Sequence, residues 1–327
     1  MKDAKCKICG NNLFTHLCEG EDRFCFVEGN FDLYKCDKCG LVLILPYLKQ
    51  DTLGKYYPSN YYSYSDTERM EEDKGSLVSK IKYYLKHPVK AANCLLYSKL
   101  LKQKDLVAYE GGMNVLDIGC GDGRYLLGKR KYGCNCFGVD IGEDALNALK
   151  ISDPEIITFC GDLWETEFPT GYFDVINMTS VLEHVVDINK LLAEIHRILS
   201  ANGVLKIQVP NSGSMTRKIF GKYWMGLDAP RHVYTFSSNN LRILFDKMNF
   251  EVHDFRTVEN SYDLICSVIY VYNAIFEKKH EVMKLSKIWD SELLKLLLFP
   301  YAFLVNILKI GDSVEIILKK GGIDGRH

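Results

Sequence analysis

Net charge is almost missing from this chain: 41 lysines and arginines stand against 42 aspartates and glutamates, a formal balance of −1 over 327 residues. Without a basic face there is no electrostatic footprint for a polyanion, so no nucleic-acid partner is expected. Long apolar runs are missing as well. The most apolar region, residues 293–305, is broken at Lys295 and Pro300 and followed by Asn306 and Lys309, which leaves too short a stretch to span a bilayer. The opening residues Met1-Lys2-Asp3-Ala4-Lys5 lead into polar residues and cysteines rather than an apolar run, so no secretory signal is expected and the chain reads as cytoplasmic. The rest of the composition, 47% hydrophobic and 25% charged, suits one large or two smaller globular domains with an ample core.

Cysteine is abundant, with 12 residues, and in a reducing compartment that points to metal binding rather than disulfides. Cys6-Lys7-Ile8-Cys9-Gly10 and Cys36-Asp37-Lys38-Cys39-Gly40 are two CxxC knuckles, each a tight turn that can aim two thiolates at one ion. Together they make a four-thiolate, structural zinc ribbon over residues 1–48, because four sulfur ligands leave no open coordination position for chemistry. Residues 31–35 read as the strand into the second knuckle, and a β-hairpin insertion explains the wide spacing between the knuckles. Cys18 and Cys25, inside that insertion, read as packed thiols.

The chain is organised around Val115-Leu116-Asp117-Ile118, an apolar β-type run that enters Gly119-Cys120-Gly121-Asp122-Gly123 and then a helical pattern. Glycines let the backbone bend sharply and let a ligand lie against the peptide groups. Asp117, at the strand end, would meet a cationic group and repel a phosphate, and the spacing is GxGxG rather than the dinucleotide GxGxxG. Taken alone the motif could be no more than a tight strand-to-helix turn. Three further segments come in the order a doubly wound sheet requires: residues 136–140 ending at Asp140, residues 156–163 with Asp162 at the end, and residues 173–178 leading to Ser180-Val181-Leu182-Glu183-His184. An acid about 20 residues past the turn can accept both ribose hydroxyls.

With LDIGCGDGRYL, GVD, CGDL, FDVINMTSVLEHV and ILSANGVLKIQVPN in order from Met113 to Asn211, the sequence resembles the class I S-adenosylmethionine-dependent methyltransferases. The resemblance implies an α/β fold, a doubly wound seven-stranded Rossmann-like sheet with helical insertions, and S-adenosylmethionine as cofactor. It implies that Gly119, Cys120 and Gly121 pack under the methionyl part, that Asp117 binds its ammonium group, and that Asn177 lies beside them. Asp140 and Ile141 would then meet the ribose, and Asp162 and Leu163 the adenine. Residues 204–209 and 251–258 read as the fifth and sixth strands, and residues 313–318 as the seventh, which the resemblance places antiparallel at the sheet edge. Asn202-Gly203 reads as the turn into the fifth strand.

Strands four and five end at the edge where open α/β sheets bind ligands, so the segments after these strands should face the transferable methyl group. One candidate is Glu183-His184; a similar pair occurs in ubiquinone-type O-methyltransferases, although acids that would complete a metal site are absent from positions 179–182. A structural role at the helix start is an equal reading. The other is the segment 223–237, whose Tyr223, Trp224 and Tyr234 would form an aromatic wall, with Arg231 for an anionic group and His232 as a base or a buried structural residue. Sugar C-methyltransferases carry a similar His-x-x-x-Phe-Ser pattern with a Tyr three residues before the His, where this chain has Ala229. For a hydroxyl acceptor, His232 is the first choice of base and His184 the second.

Residues 49–110 read as linker and helical lid. They include the tyrosine-rich stretch Tyr56–Tyr64, the acidic run Asp66–Asp73 and a basic helical segment, residues 77–109, split at Pro88. A ribbon, then YYPxxYY, then this core is similar to bacterial methyltransferases of sugar and polysaccharide pathways. Residues 111–327 form the core, and a helical insertion at 262–310 covers the pocket or forms a homodimer surface, with peripheral membrane contact the lesser reading. The expected activity is methylation of a small, anionic or sugar-linked metabolite, a sugar nucleotide or glycan precursor, on oxygen. The alternatives are an RNA or protein methyltransferase that uses the ribbon for recognition, and a non-enzymatic S-adenosylmethionine-binding module.

Overall fold

The computed structural model describes residues 4–57, 107–259, 261–278 and 291–321, with Pro88, Ala92 and Leu96 as isolated helical positions. The tyrosine-rich stretch beyond Tyr57, the acidic run Asp66–Asp73, nearly all of the basic segment and residues 279–290 of the insertion lie outside the described residues. The chain opens with β1 (Phe14–Glu21), β2 (Asn30–Cys36) and β3 (Val42–Ile44), then a short α1 (Gln50–Leu53). The core runs β4 (Asn114–Ile118), α2 (Arg124–Arg130), β5 (Asn135–Asp140), α3 (Glu143–Ser152), β6 (Ile157–Cys160) and β7 (Phe173–Thr179). After them come α4 (Ile188–Ile198), β8 (Leu199–Pro210), α5 (Met215–Phe220), β9 (Tyr234–Thr235) and α6 (Ser238–Lys247). The last elements are β10 (Phe250–Val258), α7 (Ser261–Ile275), α8 (Glu292–Ile307) and β11 (Ser313–Lys320).

The large sheet has the order β10-β11-β8-β7-β4-β5-β6, with β8, β7, β4, β5 and β6 parallel and β11 antiparallel to both neighbours. Strand order reverses between β4 and β7, which opens a crevice at their carboxyl ends. Residues 115–118 of β4 are all buried, as a central parallel strand covered on both faces must be. On α4, Ile188, Leu191, Leu192, Ile195 and Ile198 make one buried stripe, and the Asp187 side chain caps the helix by accepting from the Lys190 amide. Among the described residues no helix is long and apolar enough to cross a membrane.

Three expectations are corrected in detail. The fifth strand starts at Leu199, directly off α4: Phe173 pairs with Leu199 and Val175 with Val204, so Asn202-Gly203 lies in a bulge inside β8 rather than in a turn before it. Gly203 fits there because a Cβ would press on the Phe173 carbonyl at 2.9 Å. The third strand ends at Cys160, since Gly161 has φ of +141° and Asp162 instead caps a short helical turn, Leu163–Glu165. The antiparallel strand is not at the edge: β11 lies between β8 and β10. Val314, Ile316, Ile317 and Leu318 are buried there, whereas at an edge they would offer an apolar pairing template; the more charged β10, with Glu251, His253, Asp254 and Arg256, takes that place.

A second, four-stranded sheet has the order β1-β2-β3-β9. Its last strand comes from the far side of the core, with Val42 opposite Thr235 and Leu43 opposite Tyr234. Cys6, Ile8, Leu41, Leu43 and Leu45 of the N-terminal ribbon belong to the same apolar cluster as Leu116, Ile176 and Ile207 of the large sheet. The ribbon is therefore built into the core by a shared strand and a shared apolar interior.

Candidate active site

The turn after β4 holds three glycines in the left-handed region, with φ of +69° at Gly119, +49° at Gly121 and +72° at Gly123. A side chain at Gly119 would also strike Val181, so the loop after β7 lies directly against this turn. Cys120 is buried, and its Sγ is where a Cβ on Gly138 of β5 would have to go. Asp117 is buried and accepts a hydrogen bond from Asn177 Nδ2 at 2.7 Å. Burial pushes the Asp117 carboxyl up to about 7; the Asn177 bond opposes this, and the nearby Asp140 and Asp122 carboxylates add to it. Asn177 Oδ1, the other end of that amide, is buried without a partner.

At the end of β5 the Asp140 carboxylate is held by two backbone amides, Gly121 N to one oxygen and Gly142 N to the other, each at 2.8 Å. This joins the glycine turn to the neighbouring strand. Ile141 beside it is an exposed apolar residue. Asp162 spends its carboxylate on a capping box with Glu165, and burial raises its pKa; Leu163 behind it is buried. Asp117, Gly119, Gly121, Asp140 and Asn177 thus converge at the crevice, with Ile141 at the rim.

A second group lies on the loop that touches Gly119. Glu183 is fully buried with neither carboxylate oxygen partnered, and burial pushes it up to about 8. His184 Nδ1 lies 2.8 Å from the Tyr57 hydroxyl and 3.0 Å from the Arg231 carbonyl oxygen. His232 Nδ1 donates to the Gly226 carbonyl at 2.9 Å, which leaves Nε2 facing the Asp228 carboxylate at 4.0 Å. The two rings meet edge to face with centroids 4.7 Å apart. Burial lowers both imidazoles, His184 to about 3, so both are neutral at neutral pH.

The aromatic wall read into residues 223–234 is corrected by burial. Trp224 packs into the seam with Leu33, Ile44 and Leu227, and the buried Tyr234 donates its hydroxyl to the Val186 carbonyl at 2.9 Å from within β9. Arg231 is wholly buried: its guanidinium binds Asp228 at 2.6 and 2.8 Å, Asp22 of the ribbon at 2.7 Å and the Tyr56 carbonyl at 3.0 Å. A guanidinium flanked by two carboxylates has no charge left for a substrate anion. Tyr223 alone of the four is half-buried, with the Arg23 guanidinium over its ring at 5.1 Å. Asp22, Asp228 and Tyr57 were not legible as site residues. Asp228, three positions from Arg231, and Tyr57, within the tyrosine-rich stretch, have a local trace; Asp22 has none. Replacing Arg231 by Met leaves two buried carboxylates uncompensated and is expected to cost about 3–5 kcal/mol, read as a lower urea midpoint with unchanged slope.

The four knuckle sulfurs converge: Cys6 and Cys39 Sγ are 3.6 Å apart, as are Cys9 and Cys36, and all four lie within 4.8 Å of one another. Bonds of about 2.3 Å in a tetrahedron place sulfurs about 3.8 Å apart, so the donor set fits zinc. The hydrogen bond between Cys6 and Cys39 Sγ holds the Cys6 thiol down and pushes the Cys39 thiol up. Gly10 and Gly40 close the two knuckles alike, with φ of +72° and +75°. Cys18 and Cys25 stand outside this cluster.

Residues 86–254 match a family model described as a methyltransferase domain. The ubiquinone biosynthesis O-methyltransferase of Bradyrhizobium diazoefficiens is 32% identical over 105 residues, covering 31% of this chain and 41% of that protein. The malonyl-[acyl-carrier protein] O-methyltransferase of Serratia marcescens is 26% identical over 125 residues, covering 38% and 48%. The chain thus spans less than half the length of these curated relatives. A solved S-adenosylmethionine-dependent methyltransferase from Archaeoglobus fulgidus aligns with a TM-score of 0.44 at 19% identity, covering 74% of this chain and 99% of that one. With the sheet order, the glycine turn and a family match over more than half of the 327 residues, the chain belongs to the class I S-adenosylmethionine-dependent methyltransferases.

Proposed function

We propose that this chain methylates a hydroxyl group of a small polar acceptor, a sugar nucleotide or glycan precursor, in the cytoplasm. The observation that carries the reading is the pair of imidazoles, half-buried His184 and buried His232, in edge-to-face contact on and against the loop that packs on the glycine turn. When bound, S-adenosylmethionine supplies an electrophilic methyl group on a sulfonium. Asp117 and the free Asn177 Oδ1 hold its ammonium, Gly119, Cys120 and Gly121 lie under its methionyl chain, and Asp140, kept in place by two amides, accepts from the ribose. Ile141 lies beside the ribose, Leu163 flanks the adenine and Asp162 meets its amino group. Methyl transfer is an in-line displacement, so positioning and exclusion of water supply most of the acceleration. His232 Nε2, its other nitrogen fixed on Gly226, is the first base for the hydroxyl proton and His184 the second. O-methylation as the named activity of both curated relatives supports oxygen as the acceptor.

Cys6, Cys9, Cys36 and Cys39 hold a structural zinc in the ribbon, residues 1–48, and residues 111–327 form the catalytic core; most of residues 49–110, read from the sequence as a linker and lid, lie outside the described residues. The insertion's α8 leaves Leu293, Leu297, Leu304 and Ile307 exposed, a face suited to covering the acceptor or to a second copy of the chain. The test is transfer of labelled methyl from S-adenosylmethionine into a cell extract separated into polar metabolites, lipids, RNA and protein. Label should enter the polar metabolites and disappear with His232→Gln. Label in RNA or protein, or none at all, overturns the reading.

A further inference from the structure

Outside the four cysteines, Glu183, His184 and His232 are the one group of described residues in which three metal-ligating side chains converge: a ligand atom from each lies within 4.8 Å of the others. Glu183 and His184 come from the turn after β7, and His232 from the distant segment ahead of β9. Two features beyond convergence point to an ion. The Glu183 carboxylate is fully buried with both oxygens unpartnered, a state that folds tolerate poorly unless the group meets or coordinates a cation. Each imidazole has Nδ1 engaged, His184 by the Tyr57 hydroxyl and the Arg231 carbonyl and His232 by the Gly226 carbonyl, so Nε2 is the ligating atom of each, that of His232 lying 4.0 Å from the Asp228 carboxylate, a further negative charge beside the site. Such outer contacts are how proteins fix the orientation of ligating histidines.

We propose that Glu183, His184 and His232 bind one divalent first-row transition-metal ion, through a carboxylate oxygen and the two Nε2 atoms, with open positions toward the acceptor. Two imidazoles and one carboxylate suit manganese, iron, cobalt or zinc. Bonds of about 2.1 Å set neighbouring ligand atoms about 3 Å apart, so an ion draws together atoms that now lie within 4.8 Å of one another. Ion binding does not depend on the proposed reaction, but the role does. A sugar hydroxyl taking an open position becomes more acidic and loses its proton to water; its oxygen then bonds to the methyl carbon as the carbon–sulfur bond breaks and S-adenosylhomocysteine leaves. In that form His232 is a ligand, and the ion replaces it in activating the hydroxyl.

The experiment is titration of the full chain, its four-cysteine site loaded with zinc, with Mn2+ while free Mn2+ is followed by electron paramagnetic resonance. The wild type should take up one equivalent. Glu183→Gln, which keeps the side-chain volume, and His232→Gln should each weaken uptake at least about tenfold, with zinc content and circular dichroism unchanged. Uptake equal in wild type and Glu183→Gln, or none by the wild type at millimolar Mn2+, overturns the proposal. Binding is read without turnover, so a protein that takes up Mn2+ but labels no polar metabolite refutes the proposed reaction and not the site.

Discussion

Cys36→Ala is expected to lower kcat at least about 100-fold, because displacement of a reacting group by about 1 Å is enough for such a loss. Affinity for S-adenosylmethionine should change less than about threefold, since the two sites share no side chain. Cys36 is fully buried among the four clustered cysteines, and with the proposed zinc bound there the fold of so small a sheet depends on its metal. What the ribbon holds is the acceptor end of the site. β3 pairs with β9 immediately after His232, the Ile44 amide donates to the Val233 carbonyl at 3.3 Å, and Asp22 grips Arg231, whose own carbonyl faces His184. The cofactor cradle stands on β4 and β5, which meet the ribbon through apolar side chains of the shared cluster rather than through polar contacts of the site. Turnover and calorimetric binding of S-adenosylmethionine, measured on the same preparation, separate the two. If both fall together, the ribbon supports the whole fold rather than the acceptor end.

Asp117→Asn should weaken S-adenosylmethionine binding about 100-fold, some 3 kcal/mol for a charged hydrogen-bonded pair taken out of water. The wild type should show a matching pH dependence. With its carboxyl near 7, Asp117 is protonated in the free protein at lower pH, and the proton must leave before the ammonium can bind. Affinity should therefore fall about tenfold per pH unit below 7, and this acid limb should vanish in Asp117→Asn. Stability runs the other way. An acid whose pKa is raised by folding keeps its proton when the unfolded chain has lost it, so the contribution of Asp117 to stability declines as pH rises from about 4 to about 7. Above 7 the buried charge costs up to roughly 4 kcal/mol, and the free Asp117→Asn protein should melt higher than wild type at pH 8. Equal melting temperatures there would show that the carboxylate is compensated in the free protein.

The parts of this molecule that are local in sequence were legible in it. An apolar run into a glycine turn defines β4, the α4 stripe repeats at helical spacing, and two CxxC knuckles announce a four-sulfur cluster. The acceptor side was legible by residue type and misread by direction. Arg231 stands in an aromatic, polar segment like a substrate contact, but its partner Asp22 is 209 residues away, and nothing local signals that burial. β9 is two residues long, too short for alternation to show, yet it joins the ribbon to the core. The seventh strand is legible as a strand but its place is not, because strand order depends on which neighbour can tolerate solvent: apolar β11 is buried and charged β10 takes the edge. His232 was singled out for its type, and the structure adds what spacing could not, its contact with His184 across 48 positions of chain.

A crystal structure with S-adenosylhomocysteine bound tests the account most directly. The account predicts the product's ammonium on Asp117 and Asn177, its ribose hydroxyls on Asp140, and its sulfur above Gly119 on the side that faces His184 and His232. Density in which the sulfur points away from the two histidines, or in which the ribose sits off Asp140, would contradict it.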